Sequence, residues 1–384
     1  MISSARLAWL QLRRQKIRLA VALAGVAFAV VLMLMQVGFQ DALFRSAVNV
    51  HQRLKGDLFL FHPNYNVLAF PSYFPRVRLY QALGFDGVAW VTPIYTGMVP
   101  WKNPDTGRNR DLLVLGVDPS SDVLDIPEVR AQMALVRYPD VVLFDEFSRS
   151  EYGPVAATLE GGRDVSTEAM HRTVVVRGLF RMGTSFGVDG TILTSDLNFA
   201  RISPHVPLTK VTVGVVGLRP GADPKAVQAA MRARLPHDVK ILTRQEMLDA
   251  EVDYWARATP IGFVFTFGVV MGLVVGMIIV YQILFADISD HLKEYATLKA
   301  VGYTDLYLAR VVMMEASILA VVGFFPGLAI CHRLYALTKQ ATMLPMVIEP
   351  ARASHVFALT LVMCCVSAMI AVRKLRAADP ADVF

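Results

Sequence analysis

Four long apolar stretches constrain this chain more than any other feature. A helix needs about 20 mostly apolar residues to cross the hydrocarbon core of a bilayer. Residues 19–40, 258–286, 311–330 and 353–372 each meet that requirement. Nothing between Arg18 and Asp41 is charged, and nothing from Ala258 to Ala286. The third stretch contains Glu315, about one turn past Arg310, which reads either as an acid at the membrane surface with its side chain reaching for water or as an intramembrane acid with a functional role. His355 sits at one end of the fourth. Hydrophobic residues make up 54% of the chain and charged residues 18%, against about 25% charge in soluble domains. The balance rules out a disordered chain and argues against a wholly soluble one. The expected fold class is an α+β membrane protein: four transmembrane helices, with one large α+β extracytoplasmic (periplasmic) domain between the first and second.

Charge sets the expected orientation. The basic amphipathic segment 1–18 holds Arg6, Arg13, Arg14, Lys16 and Arg18 and no acid. Arg373, Lys374 and Arg376 follow the last span, in the tail 373–384. Short flanks rich in Lys and Arg stay on the cytoplasmic side, and four spans return both termini to it. Residues 41–257 are then external, 287–310 cytoplasmic, and 331–352 a short external loop of a multi-pass protein of the inner (plasma) membrane. The first apolar run is too long for a signal peptide, and no small-residue cleavage pattern follows it. Residues 41–257 carry 24 basic and 24 acidic side chains. The basic excess therefore lies beside an apolar run, as a membrane surface requires, and not on a nucleic-acid-binding face.

A stretch of 217 residues needs its own core. Strand-like runs occur at Asp57–Phe61, Leu112–Val117, Thr173–Val176 and Val211–Leu218, separated by turn signals such as Asn103-Pro104-Asp105-Thr106-Gly107 and Arg219-Pro220-Gly221. Asp223 and Pro224 open a helix to Leu235, and a short strand follows at Val239–Leu242. Thr243 and Glu246 make a capping box for a helix that continues through Tyr254 and Trp255, a near-continuous rod towards the second span. Strand, helix, strand and closing helix suggest an α+β domain, ferredoxin-like in part.

No motif argues for catalysis. No Lys follows a Gly anywhere, so no phosphate-binding loop exists, and no G-x-S-x-G elbow occurs. Cys331, Cys364 and Cys365 form no disulfide framework. The expectation is a non-catalytic chain without a metal site. Carboxylate pairs such as Asp145-Glu146 read as solvated surface. Gly268, Gly272 and Gly276 share one helical face and allow close helix approach, either between two copies or within one bundle. Gly323, Pro326 and Gly327 interrupt the third span, as a kink or as ordinary packing. In the segment 287–310, Leu292, Tyr295, Ala296, Leu298 and Lys299 follow helical spacing and Gly302 fits a helix stop. This short cytoplasmic helix suits lipid or the groove of a soluble partner. Its three basic and four acidic residues weigh against lipid.

Several segments together resemble DevC-type permeases of ABC exporters, within the MacB-like and FtsX-like permease group. They are Arg18–Val30, Met35–Phe44, Leu143–Arg149, Gly183–Gly190, Thr259–Phe263, Tyr281–Leu284 with His291, Glu294–Ala300 and Arg373–Pro380. The resemblance implies a homodimeric permease that binds no cofactor itself and pairs with a separate ABC ATPase carrying ATP and Mg. It implies that His291, Leu292, Glu294, Tyr295, Ala296, Thr297, Leu298, Lys299 and Gly302 belong to the coupling helix that meets that ATPase. It further implies a periplasmic domain docking a membrane-fusion protein, which leads to a TolC-like outer-membrane duct. Export by mechanotransmission is the implied activity, with a glycolipid or other amphiphile as cargo. An FtsX-like transmitter controlling an external enzyme and a lipoprotein-extraction permease share the architecture.

Overall fold

The computed structural model describes residues 16–377. In chain order these form α1 (Lys16–Ala47), α2 (Asn49–Gln52), β1 (Leu58–Phe61), β2 (Phe74–Pro75), α3 (Val77–Leu83), β3 (Val88–Lys102), β4 (Asn109–Val117) and α4 (Pro127–Gln132). Next come β5 (Val141–Asp145), α5 (Val155–Glu160), β6 (Val165–Ala169), β7 (Arg172–Phe180), β8 (Thr191–Ser195), α6 (Asp196–Ile202), β9 (Lys210–Val211) and β10 (Val213–Leu218). The order ends with α7 (Pro224–Arg234), β11 (Lys240–Thr243), α8 (Arg244–Asp253), α9 (Pro260–Asp290), α10 (Leu292–Ala300), α11 (Asp305–Thr342) and α12 (Pro350–Ala377). Leu43–Thr259 is one compact unit, and the helices flanking it in sequence form the other. Arg6, Arg13 and Arg14 of the basic segment, and residues 378–384 of the tail, lie outside the described residues.

Among the described residues, α1, α9, α11 and α12 are long and apolar enough to cross a membrane. Each outruns the stretch read from the sequence, because partners inside the bundle carry the helix past its first charge. α1 does not stop at residue 40: Asp41 stays helical and its carboxylate pairs with Arg352. α9 keeps Asp287 and Asp290 in its last turn, so the segment 287–310 begins as helix. α11 starts at Asp305, not at residue 311, and runs to Thr342, so most of the expected loop 331–352 is helix. Cys331 and Tyr335 extend its buried stripe, and the Tyr335 hydroxyl donates to the Leu34 carbonyl of α1. α12 opens three residues before the expected 353, at Pro350, a residue suited to a first helical turn. Of the two positions open to Glu315, the buried one holds: it is 1% exposed inside the bundle.

Small residues set the helix contacts. A Cβ on Gly323 or Gly327 of α11 would meet Val26 or Val30 of α1 at 2.8 Å. These glycines, on either side of Pro326, are therefore a packing surface. Ser367 of α12 donates to the Met277 carbonyl of α9 at 2.8 Å.

The large unit combines two split β-α-β motifs. β1, α3, β3 and then β10, α7, β11 place their strands in the order β11-β1-β10-β3, with every neighbour antiparallel. That is a ferredoxin-like arrangement, divided by a long insertion between β3 and β10. β3 serves both parts: Val88–Ile94 pairs with β10 and Ile94–Lys102 with β4. The insertion continues the sheet as β4-β8-β5-β7-β6, and β6 returns to β3 where Ala169 meets Trp101. Both faces are buried. Leu58 and Leu60 join a core under α3 and α7, whereas Phe59 and Phe61 join another that includes Met247 of α8. Such strands read as unbroken apolar runs.

Local signals explain the ends of the helices. Asp223 accepts from the Lys225 amide at 3.1 Å. The Glu246 amide donates to Thr243 Oγ1 at 3.3 Å, and the Thr243 amide to Glu246 Oε2 at 2.9 Å. Two expectations fail here. The run Val211–Leu218 is broken at Thr212, because Lys210–Val211 leaves to pair with β2. The rod towards the second span is interrupted: α8 passes into a π turn at Tyr254–Ala258, and Thr259 is extended (φ −118°, ψ 158°). A residue preceding proline is driven out of the helical region.

Asp145 also departs from expectation. It is fully buried and accepts from the amides of Met182 (3.0 Å), Gly183 (2.9 Å) and Phe147 (3.2 Å). Burial nevertheless holds its pKa above the usual carboxylate value. Its neighbour Glu146 pairs with Arg181 at 2.7 Å. The two segments that resemble family motifs, Leu143–Arg149 and Gly183–Gly190, are thus neighbours in space, joined again by Arg149 and Asp189 at 2.7 Å.

Candidate coupling elbow

α9, α10 and α11 form a sharp elbow. His291 precedes α10, and its Nδ1 lies 3.1 Å from the Glu294 carboxylate. At the other end Gly302 has φ +102°. Its amide donates to the Lys299 carbonyl at 2.9 Å and that of Tyr303 to the Leu298 carbonyl at 3.0 Å. This is a Schellman closure, which needs a residue at positive φ. Thr304 caps α11 by accepting from the Tyr307 amide at 3.3 Å. Lys299 Nζ lies 2.9 Å from Asp305, bracing α10 against the start of α11.

The helix has two faces. Tyr295 and Ala296 are buried in the apolar core of the bundle, and Leu292 and Leu298 pack against that core. His291 is buried, and Lys299 is half-buried. Glu294, Thr297 and Gly302 are exposed. The nine residues singled out in the sequence are therefore adjacent, but only part of the set faces outward. Lys293, Ala300, Val301 and Leu306 complete the exposed surface, with Val301 73% and Leu306 59% exposed. Helical spacing was the available signal, because 293, 297 and 300 fall opposite 295 and 296.

Gly268, Gly272 and Gly276 lie inside the bundle. A Cβ on Gly268 would meet Gln36 at 2.5 Å, and one on Gly276 would meet Ala29 at 2.6 Å. Gly272 faces Leu32 and Met33, with its nearest atom at 3.3 Å. All three face α1 of the same chain.

The large unit holds a second polar cluster that sequence reasoning missed. Glu251 of α8 is 3% exposed and His51 of α2 is 1% exposed. Glu251 accepts from the Tyr65 hydroxyl (3.1 Å), the Leu68 amide (3.3 Å) and the Trp255 indole (3.2 Å). His51 Nε2 lies 2.9 Å from the Tyr65 hydroxyl. Because that hydroxyl donates to Glu251, it accepts from an Nε2–H of His51. Burial raises the Glu251 pKa to about 7 against the three donors. Burial lowers the His51 pKa to about 4. The Tyr65 pKa is driven upward by burial and by the neighbouring carboxylate. The cluster ties α2, the loop after β1 and α8 together.

Among the described residues no group of three or more His, Cys, Asp or Glu side chains is arranged to hold a metal ion. Residues 19–234 match the model of the MacB-like periplasmic core domain, and 266–380 that of the FtsX-like permease C-terminal domain. No curated protein matches the chain. Similar solved structures include the periplasmic region of MacB from Actinobacillus actinomycetemcomitans, at 9% identity and a TM-score of 0.35, covering 53% of this chain and 96% of that one. The extracellular domain of the ABC-type transporter YknZ from Gram-positive bacteria is 12% identical (TM-score 0.33; 49% of this chain, 99% of that one). A domain of a permease protein from Porphyromonas gingivalis is 14% identical (TM-score 0.31; 50% and 89%). The first family model alone spans more than half of the sequence, and the chain belongs to the MacB/FtsX-like family of ABC permease subunits, multi-pass proteins of the inner membrane.

Proposed function

We propose that this permease subunit couples ATP hydrolysis on a separate cytoplasmic ATPase to work done in the periplasm by its large domain. One observation carries the reading: α10 is closed at its C-terminus by a Schellman turn, anchored inward by Tyr295 and Ala296, and presents Lys293, Glu294, Thr297 and Ala300 outward. A short helix held this firmly moves with the bundle when a partner pushes on it. The termini and α10 are then cytoplasmic. The work is DevC-type export of an amphiphile by mechanotransmission, from a homodimer, through a membrane-fusion protein and a TolC-like duct. The family resemblance supports this part.

The test is co-purification of the chain with its ATPase. Thr297→Trp adds bulk to the outward face without touching the buried one. The expected result is loss of ATPase association with an unchanged melting temperature. Unchanged association, or labelling of residue 297 from the periplasmic side, defeats the assignment.

A further inference from the structure

β3 leaves a gap between its two partnerships on one edge. β10 pairs with it as far as Ile94, and β6 meets it at Trp101. Along the stretch between, β4 covers the other edge throughout. The Leu113 amide of β4 donates to the Gly190 carbonyl, on the β8 side, at 2.9 Å. Leu113 therefore turns its main-chain groups away from β3. Met98, opposite it in the register, turns its own away from β4. The residues two places to either side have the same phase. The Thr96 amide donates to Thr212 Oγ1 at 3.0 Å, and the Pro100 carbonyl accepts from the Met170 amide at 3.0 Å. Among the described residues, the N–H and C=O of Met98 have no such partner.

A cleft of about 640 Å³ opens at this gap, within the range of small-molecule sites, about 300–1,000 Å³. Met98 lines it together with Phe70, Tyr73 and Trp255, and with Ser72, Asp111 and His205. Phe70 is 63% exposed, and Asp111 and His205 are exposed. Glu251 fixes two of its walls. It accepts from the Leu68 amide, just before the lining segment 69–73, and from the Trp255 indole. A wall held in place beforehand costs a ligand less to order.

The chemistry of the lining narrows the ligand. No Lys or Arg lines the cleft and Asp111 does, which disfavours an anion. An extended peptide adding a strand to β3 needs main-chain partners at alternate residues, but Thr96 and Pro100 are already engaged. A lone trans amide points its N–H and C=O in opposite directions and cannot answer both groups of one residue. Vicinal hydroxyls can: one donates to the Met98 carbonyl while its neighbour accepts from the Met98 amide. A sugar ring carries such pairs at its edge and apolar C–H groups on its faces, which suit Phe70, Tyr73 and Trp255.

We propose that this cleft is a carbohydrate-binding site of the large unit, in which the Met98 main chain reads a pair of neighbouring hydroxyls. Asp111 and His205 meet further hydroxyls, and Phe70 covers a face of the ring. The ligand is a neutral saccharide, free or as the headgroup of a glycolipid. The site is separate from α10 and stands or falls without the ATPase assignment.

The experiment is a binding titration of the full chain in lipid nanodiscs, which avoids glycoside detergents. One arm adds disaccharides of glucose, galactose, mannose and N-acetylglucosamine; the other adds octyl glycosides of the same sugars below their micelle-forming concentrations. Both are read by tryptophan fluorescence, because Trp255 lines the cleft. Saturable binding in the first arm identifies a free saccharide, and in the second alone a glycolipid headgroup. Either supports the proposal when Met98→Pro weakens it up to about tenfold, as loss of one hydrogen bond predicts, and Met98→Leu does not. Proline removes the donor facing the cleft, in a strand that already holds Pro93 and Pro100; leucine keeps it. Phe70→Ala should also weaken binding, with an unchanged melting temperature. Absence of binding to every probe in both arms overturns the proposal, as does binding that Met98→Pro and Phe70→Ala leave unchanged. Equal loss in Met98→Leu overturns the main-chain reading. If Met98→Pro does not fold, Phe70→Ala decides the matter.

Discussion

Replacing Glu251 by Gln will unmask a pH dependence that the wild-type periplasmic domain conceals. Burial raises the Glu251 pKa from 4.5 to about 7. The folded state thus holds this proton more tightly than the unfolded chain does. The resulting stabilisation is fully present below pH 4.5 and is lost as pH rises to about 7. Burial lowers the His51 pKa from 6.5 to about 4. Here the unfolded chain binds the proton more tightly, so stabilisation is present above pH 6.5 and is lost as pH falls towards 4. At about 1.4 kcal/mol per pH unit, each group contributes about 3 kcal/mol, with opposite slopes across nearly the same window. The wild-type profile between pH 4.5 and 6.5 is therefore nearly flat at this cluster. Gln preserves the shape of Glu251 and its acceptor oxygen towards Tyr65, but cannot titrate. In Glu251→Gln only the His51 limb remains, and stability rises by about 3 kcal/mol from pH 4 to 6.5. His51→Gln leaves the opposite limb, falling from pH 4.5 to 7. The assay is denaturant unfolding of the full chain in detergent, with domain unfolding followed by tryptophan fluorescence at several pH values. A Glu251→Gln profile as flat as wild type refutes the reasoning.

The features legible in the sequence were those created by near neighbours. The four spans followed from long apolar runs, one of them holding Glu315, and the caps at Asp223 and Thr243 from side chains bonding amides two or three residues away. β3 was missed because Pro93, Gly97 and Pro100 break its pattern, although pairing on both sides holds it together. β5 and β8 are buried on both faces and lack the alternation that marks a half-exposed strand. The ferredoxin-like order depends on pairing β1 with β10 across more than 150 residues, which no local rule predicts. The Glu251 cluster has the same origin: Tyr65 and Glu251 are 186 residues apart. At the elbow, Tyr295 and Ala296 followed helical spacing, but that spacing served the protein's own core as well as an outward face. Hydropathy placed Glu315 in the third span and could not reveal its burial.

Four further substitutions probe the same physics. Thr243→Ala removes the capping-box acceptor of α8 and should cost about 1 kcal/mol in domain stability by denaturant unfolding. Gly276→Leu drives side-chain atoms into Ala29 and Met363 and should destabilise the bundle by about 1–3 kcal/mol. Gly272→Ala, whose nearest neighbour is 3.3 Å away, should change detergent melting far less. The fourth concerns Gly302, which meets nothing within 4 Å of an added Cβ but has φ +102°. The Cβ itself meets no clash, so the main cost of Gly302→Val is backbone strain, about 1–2 kcal/mol for a residue forced to positive φ. The strain can be relieved only by opening the Schellman turn, which releases the carbonyls of Leu298 and Lys299 and frees α10 from Asp305. Gly302→Val should then weaken ATPase association although no partner-facing side chain has been removed, and hydrogen exchange should accelerate at the amides of Gly302 and Tyr303. Faster exchange with full association would show that the partner does not need a rigid α10; unchanged exchange would show that the turn tolerates valine and that the strain argument is wrong.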